Sequence, residues 1–187
     1  MAFNKTTFYA DFRDHLDNSK AKVIQGKTPN QVDTHRIFEA ADKACKNQRR
    51  SSPETDQSFW NKGAKGEPDS KREFLCDYTY HDEYGRILLA LECEWGKQLS
   101  PDTTIEMVLY DFKKVLNMAA PIKVMVFAYT SPDNKRKCLD KMKKTAEHWP
   151  PESLTNMIAV ACNWYDEMHG NSIDGYFWNG SGWENFK

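Results

Sequence analysis

A chain of 187 residues that is 40% apolar and 13% aromatic suits one globular domain with a real core, or at most two small ones, and excludes a disordered chain. Its formal net charge of −1 argues neither for nor against a polyanionic partner, so any nucleic-acid surface has to come from local clusters. Cys45, Cys76, Cys93, Cys138 and Cys162 are odd in number and widely spread, which excludes a disulfide framework or a close-spaced zinc site and predicts buried thiols in a reducing compartment.

Residues 1–20 lack a signal-peptide core, and no apolar run approaches the roughly 18 residues of a membrane span. The expectation is a cytoplasmic protein with no membrane association. Phe3, Phe8, Phe12, Leu16 and Val23 give residues 3–25 a helical pattern. Thr28-Pro29-Asn30 breaks it. Asp33 or Thr34 then caps a second predicted helix reaching Lys46, with Ile37, Ala40, Ala41 and Ala44 as a narrow packing stripe and Glu39 close beside it. Residues 47–72 read as a polar loop pinned by Phe59 and Trp60, in which Arg49 and Arg50 either face a phosphate backbone or are solvated.

Residues 73–81 and 86–95 read as strands joined by the turn Asp82-Glu83-Tyr84-Gly85, the pattern of a β-hairpin. Ser100-Pro101-Asp102 opens a helix in which Ile105, Val108, Leu109, Phe112, Val115, Leu116 and Ala119 recur at three and four residues. Pro121 stops it, and residues 122–129 form a buried strand. Strand, helix, strand in that order predicts a parallel, right-handed crossover. Ser131-Pro132-Asp133 opens a basic helix over 134–149 that carries Lys135, Arg136, Lys137, Lys141, Lys143 and Lys144. Its charged face is either simply solvated or turned toward DNA. Residues 157–165 read as another buried strand, and 172–186 as a closing hairpin around Asn179-Gly180-Ser181-Gly182. The predicted class is α/β, a mixed central sheet with helices on both faces. It forms a single domain with an N-terminal helical extension (1–32), a core (33–165) and a C-terminal β-hairpin (166–187).

The second hairpin strand is apolar on both sides until it meets Glu92 and Glu94. Two residues apart, they project from one face. Paired carboxylates raise each other's pKa unless a cation lies between them. A divalent metal is one answer, with Asp77 on the partner strand supplying a third oxygen. The other is that the sheet ends there and both glutamates face water. A four-residue turn at 82–85 puts Asp77 on the same side as Glu92, whereas a three-residue or five-residue turn without a bulge inverts it.

A helix carrying a glutamate, a hairpin carrying Asp77 and then Glu92-Cys93-Glu94, a helix and a further strand resemble the PD-(D/E)XK nuclease superfamily, the restriction-endonuclease-like fold, over roughly residues 33–130. The resemblance implies a nuclease that hydrolyses DNA phosphodiester bonds, with Asp77, Glu92 and Glu94 as catalytic residues. It also implies Mg²⁺ or Mn²⁺ held by Asp77, Glu92 and Glu39. Glu94 stands where that family usually has lysine, and Lys97 is the nearest residue to stand in. Arg49, Arg50, Lys97, Lys135 and Arg136 are the candidate nucleic-acid contacts, and cutting two strands implies a homodimer or a protein partner. The missing lysine admits a second reading, in which the fold persists without the activity and binds a protein or nucleic-acid partner.

Overall fold

The computed structural model describes residues 4–18, 29–49, 56–60, 76–96, 100–163 and 173–186. They form helices α1 (Lys5–Asn18), α2 (Pro29–Gln48), α3 (Pro101–Leu116) and α4 (Pro132–Ala146). The strands are β1 (Gln57–Trp60), β2 (Tyr78–His81), β3 (Ile87–Glu94), β4 (Ile122–Tyr129), β5 (Met157–Asn163), β6 (Ile173–Trp178) and β7 (Trp183–Asn185). Across the sheet the strands follow their chain order. Strands β4 and β5 are parallel, while β1–β2, β5–β6 and β6–β7 are antiparallel. A mixed sheet flanked by helices is thus the architecture that forms. The chain divides into two compact units, Met1–Ala90 and Leu91–Lys187, with the boundary inside β3. All five cysteines are buried free thiols. Among the described residues no helix is long and apolar enough to cross a membrane.

In the first unit, Asn4 starts α1 by accepting hydrogen bonds at Oδ1 from the amides of Thr6 (2.9 Å) and Thr7 (3.1 Å). Phe8, Tyr9, Phe12 and Leu16 are the buried stripe that packs α1 on α2. Helix α2 begins at Pro29, a turn before the predicted cap. Proline suits the first turn, because its ring presets φ and the missing N–H has no helical partner there. The stripe of Ile37, Ala40, Ala41 and Ala44 is buried as the periodicity requires. Strand β1 arises inside the stretch read as loop, with Ser58 opposite Tyr80 and Trp60 opposite Tyr78. Four residues in a polar background are too few to show alternation.

The hairpin turn is one residue shorter than 82–85. The Asp82 amide donates to the Arg86 carbonyl at 3.1 Å and the Gly85 amide to the Asp82 carbonyl at 2.9 Å. The loop is therefore Glu83-Tyr84-Gly85, with Gly85 at φ 75°, as a three-residue hairpin loop requires. The Asp82 carboxylate binds the amides of Tyr84 (3.0 Å) and Arg86 (2.9 Å) and Nε of Arg86 (2.7 Å). These bonds specify the turn more strongly than its glycine alone.

In the second unit, β4 is buried along its whole length and pairs with β5 from Lys123 opposite Met157 to Tyr129 opposite Asn163. Helix α4 connects these parallel strands, as a crossover must. Both serine-proline starts behave as their residue types demand. The Ser100 hydroxyl accepts from the Thr103 amide at 3.3 Å and that of Ser131 from the Asn134 amide at 3.1 Å. Helices α3 and α4 pack on each other and on β4. The β6–β7 hairpin closes through the Asn179 side chain, which accepts from the amides of Ser181 (2.9 Å) and Gly182 (3.0 Å). Trp183 lies with its ring centroid 6.1 Å from Phe112 and 5.5 Å from Trp178, so these aromatics pack within the unit.

A candidate site on the second unit

Strand β3 carries a buried apolar run, Leu89, Ala90 and Leu91, and then Glu92, which is only 1% exposed. A carboxylate at such depth is costly unless a cation meets it. Helix α3 supplies the cation. Lys114 Nζ stands 2.8 Å from Glu92 Oε1 and 2.8 Å from Asp111 Oδ1, one turn back on the same helix. Partial burial pulls the Lys114 pKa down. Hydrogen bonds to Asp111 and Glu92 and their charges more than reverse this, so the amine is held above the ordinary lysine value and stays charged. The compensating positive charge that the sequence pattern demands is thus an ammonium.

This overturns the expectation of Mg²⁺ or Mn²⁺. Among the described residues no group of three or more His, Cys, Asp and Glu is placed to hold a metal ion. Of the acids expected as ligands, Glu92 is paired with Lys114. Glu39 is an exposed residue of α2 in the first unit, 3.3 Å from the His35 ring one turn earlier. Asp77 is half-buried in a bend immediately before β2, also in the first unit.

Beyond Glu92 the chain turns sharply. Gly96 sits at φ 61°, so close to the first turn of α3 that an added Cβ would lie 2.7 Å from Cγ2 of Thr104. Its amide donates to Glu94 Oε1 at 2.8 Å. This close approach sets Glu94 against one face of α3, where Thr103, Glu106, Met107, Tyr110 and Asp111 recur at helical spacing. Together they line an open groove of about 390 Å³. Tyr110 is 68% exposed, and the Lys114 amine lies 5.7 Å from its ring centroid.

The cations expected at a phosphate backbone are placed unevenly. Arg49 belongs to the first unit, where its guanidinium clasps Asp56 at 3.0 and 3.1 Å and also bonds Glu83. Arg50 and Lys97 lie outside the described residues. Lys135 bonds Asp174 at 2.7 Å, and Arg136 is shared between Asp133 and Asp140. Lys137 pairs with Asp133 at 2.9 Å. Lys141, Lys143 and Lys144, by contrast, are exposed and make no ion pair among the described residues.

Two groups that define this unit's surface carry little signal in the sequence. Lys114 and Asp111 look like ordinary flanking charges on α3, and only the position of β3 turns them inward. The sequence marks every lysine of α4 as basic and does not separate the paired from the unpaired. Comparisons with protein-family models, with curated proteins and with solved structures found no match to this chain.

Proposed function

We propose that the chain is a non-catalytic module that binds duplex DNA through the outer face of α4. The observation that carries this reading is the set of exposed, unpaired lysines at 141, 143 and 144. Lys137, Lys141 and Lys144 follow one another at four and three residues, so they form one row along the helix. Six cations stand against two aspartates in this helix. Such a row matches the closely spaced charge of a nucleic-acid backbone. The buried face of α4, with Cys138, Met142 and Ala146, is spent on the core and leaves no apolar side for a lipid surface. Tyr84 and Tyr110 are the exposed large apolar residues among those described, and neither is on α4. Base stacking on aromatic rings has no platform there, which favours backbone contact with a duplex over capture of single strands.

The non-catalytic half of the reading rests on Glu92. Its charge is met by Lys114, and the described acids form no metal-binding group. The test is a titration of labelled duplexes at several salt concentrations, with single strands for comparison. Three lysine contacts predict a slope of about −2.7 in log K against log salt. The K141E/K144E double substitution should flatten that slope and weaken binding at low salt at least tenfold, with no duplex cut in Mg²⁺ or chelator. Undiminished binding by the double variant would sink the proposed surface, and metal-dependent cleavage abolished by Glu92→Ala would sink the non-catalytic reading.

A further inference from the structure

The β6–β7 turn carries the chain's one Asn-Gly pair, Asn179-Gly180. In such a pair the amide nitrogen that follows the asparagine has no Cβ beside it to block approach to the side-chain carboxamide. Both residues are exposed, Gly180 sits at φ 102°, and nothing lies within 4 Å of where its Cβ would stand. The Gly180 amide makes no hydrogen bond among the described residues. The carboxamide, by contrast, is held firmly. Its Oδ1 accepts from the amides of Ser181 at 2.9 Å and Gly182 at 3.0 Å, and from the Ser181 hydroxyl at 3.1 Å. The bond to the Ser181 amide closes a ring through Cγ and the Gly180 nitrogen, so it folds the carboxamide back over that nitrogen. Three donors converging on one carbonyl oxygen also polarise it and stabilise the charge it gains under attack. The Lys143 amine adds positive charge alongside, 3.6 Å from where a Cβ of Gly182 would lie.

We infer that Asn179 is a self-modifying residue, converted through a succinimide to aspartate and isoaspartate. The Gly180 nitrogen forms a bond to Cγ, and Oδ1 takes the electron pair of the carbonyl π bond. When that pair returns, the bond from Cγ to Nδ2 breaks. Ammonia leaves with the proton that the Gly180 nitrogen gave up. Water then opens the five-membered imide. Attack at Cγ gives aspartate, whereas attack at the main-chain carbonyl gives isoaspartate, which puts one extra methylene into the backbone. Water is the single co-reactant. Either product loses the hydrogen bond that Nδ2 donates to Glu184 at 3.3 Å and sets a second carboxylate beside it. Isoaspartate also stretches a turn that is closed by the Asn179 amide on the Gly182 carbonyl at 3.1 Å. The modification therefore loosens the β6–β7 hairpin. This chemistry does not depend on whether α4 binds DNA.

The experiment incubates the full chain in mildly alkaline buffer beside a capped peptide of residues 177–183, which lacks the folded turn. Peptide mapping by mass spectrometry reads the loss of the amide, and an isoaspartate methyltransferase reads the isoaspartate. Asn179 should convert in the protein at least as fast as in the peptide, with Asn117 and Asn156 unchanged. Ser181→Ala should slow the protein's conversion about fivefold without slowing the matching peptide. The isoaspartate fraction, separated by ion exchange, should melt below the fresh protein. Its tryptophan fluorescence should change as well, because Trp178 and Trp183 pack together beside the turn. Slower conversion in the protein than in the peptide would show that the turn protects Asn179 and would overturn the inference. So would a Ser181→Ala protein that converts as fast as wild type, since the hydroxyl would then only shape the turn. An isoaspartate fraction with the wild-type transition would overturn the loosening.

Discussion

Lys114 is the residue on which the acidic end of β3 depends. Its amine is the cation 2.8 Å from a carboxylate that is almost fully buried. Removing one partner of such a pair leaves the other charge desolvated, which is far worse than removing both. Lys114→Met should therefore destabilise the protein by about 3 kcal/mol in urea unfolding. Glu92→Gln combined with Lys114→Met should recover much of that loss. The pH dependence has a definite sign. The folded pKa of Lys114 is raised above its unfolded value, so its stabilisation is fully present below about pH 10.4, the ordinary lysine value. It is lost as pH climbs through the higher folded pKa. The stability gap between wild type and Lys114→Met should narrow as pH climbs above about 10, where the wild-type amine begins to lose its proton in the unfolded chain. A gap that stays unchanged up to about pH 11.5 would assign the stabilisation to some other group.

At the scale of elements, two tight glycine turns end the hairpin strands differently. Gly85 has φ 75° with open space around it, whereas Gly96 has φ 61° and Thr104 directly against it. Alanine at 85 meets only the left-handed backbone penalty, about 1 kcal/mol. Alanine at 96 meets the same penalty and a steric one, because its Cβ would lie 2.7 Å from the Thr104 methyl. Gly96→Ala should therefore destabilise by at least about 1 kcal/mol more than Gly85→Ala. Thr104→Ser, which removes that methyl, should recover the excess in the Gly96→Ala background and leave the Gly85→Ala background unaided. Equal costs at the two positions would mean that the approach of β3 to α3 is looser than described.

At the scale of the whole molecule, metal should be thermodynamically silent. A native-state site half-filled at about 0.1 mM would add about 2.7 kcal/mol at about 10 mM Mg²⁺, which is a rise of several degrees in melting temperature. With the described acids forming no metal-binding group, neither Mg²⁺, Mn²⁺ nor chelator should move the thermal transition by more than about a degree. A rise of several degrees would restore the metal site that the geometry argues against.

The elements themselves were largely legible because their causes are local. The Ser-Pro-Asp starts at 100 and 131, the three-and-four spacing from Ile105 to Leu116, and the unbroken apolar run of β4 each act within a few residues. Strand β1 escaped notice because four residues in polar surroundings make no period. The turn was read one residue too long because Asp82 joins it through hydrogen bonds to Arg86 that composition does not reveal. The site was legible only as a need. Glu92 and Glu94 two apart on an apolar strand require positive charge nearby, and that follows from alternation and desolvation alone. Which cation answers is a matter of which element packs there, and only the tertiary structure decided it. Helix α3 brings Lys114 to Glu92, while Asp133, Asp140 and Asp174 occupy some cations of α4 and leave Lys141, Lys143 and Lys144 to solvent. Asp133 and Asp140 meet Arg136 and Lys137 within one helical turn, a spacing the sequence does carry, whereas Glu92–Lys114 and Lys135–Asp174 join residues far apart in the chain, which no local pattern reveals.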